Sequence, residues 1–164
     1  MRGYHFVGDT LRDGRPVPAD GEWLMHVGRI IPCKSGLHAS EHPFDALRYA
    51  PGAILCRVEL EEDLVSHSRP IDKWVGRRRR IVARIDADYL LRRFAADQAL
   101  HVAHLWEMPE IVRNYLTTLD KRKRAASMAA SEAASWMVSA EASLEARAEF
   151  TRRVEQAFAE QEKP

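Results

Sequence analysis

Cysteine is nearly absent from this chain of 164 residues, with Cys33 and Cys56 the only two. One pair of thiols cannot make the disulfide framework on which small secreted folds depend, so a reducing compartment is the simpler reading. Long apolar runs are missing as well. No stretch approaches the roughly 20 apolar residues needed to span a bilayer, and the opening Met1-Arg2-Gly3-Tyr4-His5-Phe6 has no apolar core of signal-peptide length. These absences predict a cytoplasmic protein with no membrane association. An excess of charge of one sign is also missing, because 25 basic and 24 acidic side chains leave a formal net charge of +1. The molecule as a whole offers no strong field to nucleic acid, and any electrostatic partner has to be met by a local patch. The marks of the common enzyme classes are absent too: there is no P-loop, dinucleotide-binding glycine pattern, nucleophile elbow or paired-cysteine zinc motif. No catalytic residue can be named from pattern alone, and whether the chain is an enzyme stays open.

What is present is ordinary globular composition, 46% hydrophobic and 30% charged, enough for one compact domain plus an extension. Tyr4 to Val7 reads as a first strand, followed by the breaker-rich stretch Gly8 to Gly21. Trp23 to Val27 and Ile30 to Cys33 read as a hairpin turning at Gly28, where glycine supplies the positive φ of a tight turn. Ser40 reads as the N-cap of a short helix containing Pro43, Phe44, Leu47 and Ala50, ended by Pro51-Gly52. Ala53 to Leu60 is the clearest strand, and Asp63 to His67 suits another short one. Arg78 to Ile85 alternates so that Ile81, Ala83 and Ile85 share a buried face, with arginines on or near the exposed side. From Asp86 the pattern is helical, with Pro109 starting a further helix. Everything from Asp120 lacks glycine and is rich in alanine, which predicts a long amphipathic helix or a helical pair. The fold class expected is therefore α+β. A small mixed or antiparallel sheet with an embedded short helix is followed by a helical C-terminal half. The expected boundaries are a compact domain over 1–119, strand-rich over 1–86 and helical over 87–119, and a helical extension over 120–164.

Several clusters invite a chemical reading. Cys33, His38 and His42 are zinc-ligand types, but their spacing is not a strong zinc pattern and no fourth ligand is assigned, so no metal site is expected. His101 and His104, beside Val102, Leu105 and Trp106, read as histidines satisfied inside a helical core. Arg77, Arg78, Arg79 and Arg80 form a basic patch, and Lys121 to Arg124 a second. Such clusters can contact phosphates, with Trp74 near the first as a stacking surface, yet runs like these are usually solvated faces.

Two resemblances extend this reading. The core Cys33-Lys34-Ser35-Gly36-Leu37-His38-Ala39-Ser40-Glu41-His42-Pro43-Phe44-Asp45, with Val58-Glu59-Leu60 and Arg79 to Ala83, resembles a family of phage and prophage proteins over about residues 4 to 119. It implies a phage or mobile-element setting in the bacterial host cytoplasm and no particular activity; together with the missing catalytic signatures and the long helical extension, it leads to the expectation of a phage accessory protein that works as a binding module. Its helical extension, 120–164, would serve a protein partner or self-association. No cofactor is implied. The second resemblance is to ADP-ribosyltransferases of the poly-ADP-ribose polymerase type. It rests on Gly36-Leu37-His38-Ala39-Ser40, then Ala46-Leu47-Arg48-Tyr49, then the strand Ala53 to Leu60. It implies an NAD pocket in which His5 holds a ribose, Ser40 supports the ligand, His38 and Tyr49 lie alongside, and Glu59 is the nearest strand acid. The late strand Arg78 to Ile85, where those enzymes place their catalytic acid, carries no glutamate. The alternative function is thus a protein that binds or uses NAD, in degenerate form.

Overall fold

The structure, a computed structural model, describes residues 1–32, 34–66, 69–105, 107–120, 122 and 144–162. Among the described residues, seven strands run in the order β1 (Arg2–Val7), β2 (Trp23–Met25), β3 (Leu37–Ala39), β4 (Ile54–Glu61), β5 (Val65–Ser66), β6 (Trp74–Gly76) and β7 (Arg78–Asp86). The described helices are α1 (Pro43–Leu47), α2 (Asp88–His101), α3 (Glu110–Thr118) and α4 (Leu144–Gln161), with a 3-10 turn at Ala103–Leu105. The fold is α+β, as its sequence pattern indicates. The chain divides into two compact units, Met1–Ala87 with Phe150–Pro164, and Asp88–Glu149.

The first unit contains both sheets. A four-stranded sheet has the order β1-β4-β7-β2 and a three-stranded sheet the order β3-β6-β5, with every strand pair antiparallel. Antiparallel register puts paired residues on one face, so the pairing assigns each side chain. His5 pairs with Cys56 and Gly3 with Val58, while Cys56 pairs with Arg84, Val58 with Ile81 and Leu60 with Arg79. These residues share one face. Val7, Cys56, Val58, Leu60 and Ile81 form a buried cluster there with Ala39 of β3, and Trp74 of β6 packs against it. The opposite face carries Tyr4, Phe6, Leu55, Arg57 and Ile85. It is covered by the last turns of α4, whose Phe150, Val154 and Phe158 are fully buried. The Arg57 guanidinium lies 4.4 Å from the Phe158 ring centre and pairs with Glu155 and, at 3.0 Å, with Glu162. Tyr4 donates its hydroxyl to Glu155, and Phe44 of α1 meets Phe150 edge-on at 5.8 Å.

Three local expectations for the first unit are corrected. Ile81, Ala83 and Ile85 do not share a face. The register shifts between Arg57 and Val58, which pair with Ala83 and Ile81 and leave Val82 as the extra residue. A bulge flips the alternation, so Ile81 joins the cluster facing β3 while Ala83 and Ile85 face the other way. The hairpin at Gly28 does not form. β2 pairs with β7, Trp23 opposite Arg80, and the segment after Gly28 makes only a tight turn, Ile31 bridging Ser35. The Arg77 guanidinium secures this arrangement by donating to the carbonyls of His26 and Gly28. Ser40 is not a helix cap either. The N-cap of α1 is His42, with no side-chain cap, because the Ser40 backbone is engaged with β1: Tyr4 N–H donates to its carbonyl at 2.7 Å and its own N–H to the Tyr4 carbonyl at 2.9 Å. Gly3 permits this approach, since a Cβ there would lie 2.5 Å from the Ser40 carbonyl oxygen.

In the second unit, α2 and α3 pack together with Phe94, Ala96 and Val112 buried. Arg93 pairs with Asp97 at 2.5 Å and donates to the Thr117 carbonyl at 3.0 Å. His101 and His104 are both exposed rather than core residues. α2 ends at His101 and the chain tightens into the 3-10 turn, where His104 Nδ1 lies 3.1 Å from the His101 carbonyl oxygen. Trp106 and most of the alanine-rich stretch, 123–143, lie outside the described residues, as do Lys121, Lys123 and Arg124 of the second basic cluster. No described helix is long and apolar enough to cross a membrane.

Candidate ligand cleft

A cleft of about 980 Å³ opens where β1, β2, β3 and the start of β7 converge, within the first unit. This lies at the upper end of the volumes typical of small-molecule sites. His5 contributes from β1, His38 from β3, Ser40 from the residue after β3, Tyr49 from the turn after α1, and Arg79 from β7. Four of the residues implicated from sequence, His5, His38, Ser40 and Tyr49, thus line one cavity. Glu59 is not among the lining residues. It pairs with Arg2, three residues from His5, and alternation therefore places it on the opposite face of the sheet. Its carboxylate is held there by Arg80 at 2.6 Å and Arg2 at 3.5 Å, and the Arg80 hydrogen bond, foremost, keeps its pKa below the usual carboxylate value.

The cleft is cationic. Among the described residues, Arg12, Arg15, Lys34, Lys73 and Arg79 line it against one carboxylate, Asp13, and that carboxylate is paired with Arg15 at 2.7 Å. His5 is half-buried and lines the cleft. Burial, reinforced by the positive charges of Arg79 and His38, holds its pKa well below the ordinary value of 6.5. At neutral pH it is an uncharged imidazole with one donor and one acceptor. Tyr49, 44% exposed, donates its hydroxyl to Asp72 at 2.6 Å, and the Lys73 ammonium lies 3.7 Å from its ring centre.

The four arginines read as one basic patch are not equivalent. Arg77 pairs with Asp63 at 2.7 Å, Arg78 with Glu62 at 3.1 Å, and Arg80 with Glu59. Arg78 and Arg80 also flank the Trp23 ring, at 4.4 and 4.8 Å from its centre. Arg79 alone turns inward. It is 5% exposed and donates to the His38 carbonyl at 2.7 Å, and burial lowers its pKa to about 10, still fully charged at neutral pH. Extending the alternation of β7 back by two residues from Ile81 would have placed Arg79 on the buried face. Trp74 is half-buried and donates its indole N–H to Glu41 at 2.8 Å.

For the metal reading, Cys33 lies outside the described residues. His38 sits on β3 and His42 at the start of α1, and no group of three His, Cys, Asp or Glu side chains among the described residues converges as metal ligands. Cys56 is a free, buried thiol whose pKa burial pushes up to about 11, too high for it to serve as a nucleophile at neutral pH.

A family model described as a domain of unknown function, DUF7666, matches residues 1–93, more than half of the chain. The chain belongs to the DUF7666 family. The described residues that line the cleft all fall within the matched DUF7666 span. No curated protein and no solved structure matches the chain.

Proposed function

We propose that this DUF7666 domain is a binding module whose cleft holds an anionic nucleotide, with NAD as the first candidate, and that it performs no group transfer on it. The observation that carries the reading is the convergence of His5, Ser40 and Tyr49, from three separate elements, on one cationic cavity of nucleotide size. Neutral His5 supplies a hydrogen-bonding edge suited to a ribose hydroxyl. Tyr49 offers an aromatic surface for a base or nicotinamide ring, the kind of contact worth roughly 1–3 kcal/mol per base. Binding without transfer follows from the acids. Asp13, the one carboxylate among the described residues of the cleft wall, is tied to Arg15, and Glu59 faces away. We further propose that the protein acts in a phage or prophage setting, as the resemblance of the Cys33 to Asp45 core implies.

Thermal melting against a nucleotide panel including NAD tests the proposal, on the wild type and on His5→Ala. A ligand that binds only the folded state stabilises it by about 2.7 kcal/mol at a hundredfold excess over Kd. The expected result is a rise in Tm with NAD or a related nucleotide that His5→Ala loses. A flat panel on the folded wild type would overturn it.

A further inference from the structure

We infer that Arg79 is the anion-recognition residue of the cleft, seating a phosphate group of the ligand beside His5 and His38. The inference deepens the nucleotide-binding reading and rests on it for the rest of the ligand. Its basis is an imbalance along one strand. Of the arginines at positions 77, 78, 79, 80 and 84, four have carboxylate partners: Asp63, Glu62, Glu59 and Asp20. Arg79, the most buried of the five, forms one hydrogen bond, to the His38 carbonyl, and no ion pair among the described residues.

Removing a charge from water costs several kcal/mol unless an opposite charge and further hydrogen bonds compensate it. A single neutral carbonyl satisfies one of five guanidinium N–H donors. The remaining donors are not among the described side-chain atoms that are sealed off without a partner, and the residue lines the cleft. The side chain therefore presents N–H groups to the cavity. A guanidinium fixed at one corner by a carbonyl keeps its planar fork in place, the geometry that accepts two phosphate oxygens at once. Being uncharged, His5 adds a donor without a competing counter-ion.

The test compares ADP with adenosine, and uses inorganic pyrophosphate as the bare anion, by titration calorimetry on the full chain. ADP should bind at least tenfold more tightly than adenosine to the wild type, and pyrophosphate should compete with it. Arg79→Gln should abolish the ADP preference and Arg79→Lys should restore part of it. Equal affinity for ADP and adenosine, or a preference that survives in Arg79→Gln, would overturn the inference. Because Arg79→Gln removes a buried contact and can unfold the chain, a second measurement uses only the wild type. Pyrophosphate should raise the His5 pKa, followed by NMR of the ring, because a bound anion favours the imidazolium. An unmoved His5 pKa at saturating pyrophosphate, or no pyrophosphate binding at all, would overturn it. The two readings fail separately. Pyrophosphate bound through Arg79 with no nucleotide bound would sink the nucleotide reading and sustain this one, whereas adenosine bound as well as ADP would do the reverse.

Discussion

An uncharged imidazole set beside a buried guanidinium couples proton binding to folding. The folded-state pKa of His5 lies well below 6.5, so between those two values the unfolded chain holds a proton on this residue that the folded chain does not. Stability then rises with pH across that window, and this contribution is lost as pH falls below 6.5 towards the folded pKa. The slope from one such group reaches at most about 1.4 kcal/mol per pH unit. Urea unfolding of wild type and His5→Gln at pH 5 to 7.5 checks this: the variant should show a flatter dependence below pH 6.5, and identical slopes would mean that folding does not depress the His5 pKa. His38, Ser40 and Tyr49, within the Gly36 to Tyr49 stretch, and His5, within Tyr4-His5-Phe6, all line the cleft and were singled out in the sequence through the resemblance to ADP-ribosyltransferases. Arg79 was not, because four consecutive arginines share one composition and only strand register tells the inward residue from its neighbours. Glu59 was misplaced for the same reason, since its distance from His5 on the sheet is short but its face is opposite.

At the level of elements, the long strands were readable because alternation is a local signal, and β4 and β7 begin and end close to where their patterns do. The partner of β2 was not readable. It is set by pairing with β7, more than 50 residues away, whereas the local glycine suggested a hairpin. The bulge at Val82 was equally hidden, because one extra residue in a ladder leaves no mark in composition. α4 shows a third kind of limit. Its helical character was plain, but only the structure assigns Phe150, Val154 and Phe158 to the sheet face opposite the cleft, where they are buried and so unavailable as a docking stripe. Truncating such a side chain leaves a cavity, and Phe150→Ala should cost roughly 3–5 kcal/mol. Chemical denaturation measures it; a loss under about 1 kcal/mol would mean that α4 does not complete this core.

For the whole molecule, near-neutral net charge conceals a local segregation. The cleft gathers five cationic side chains against one paired carboxylate, while carboxylates such as Glu59, Glu62, Asp63 and Asp20 neutralise the arginines elsewhere on β7 and just before it. The four-stranded sheet separates α4, which seals the Arg57 face, from the cleft at His5 and Arg79 on the other side. The most direct measurement is an NMR titration of the isotopically labelled full chain with NAD, following backbone amides. The account predicts saturable shifts in β1 around His5, in Leu37 to Ser40, at Tyr49 and in β7 at Arg79, with the amides of 150–161 left in place. Absence of saturable shifts, or shifts centred on α4 and the Arg57 face of the sheet, would contradict it.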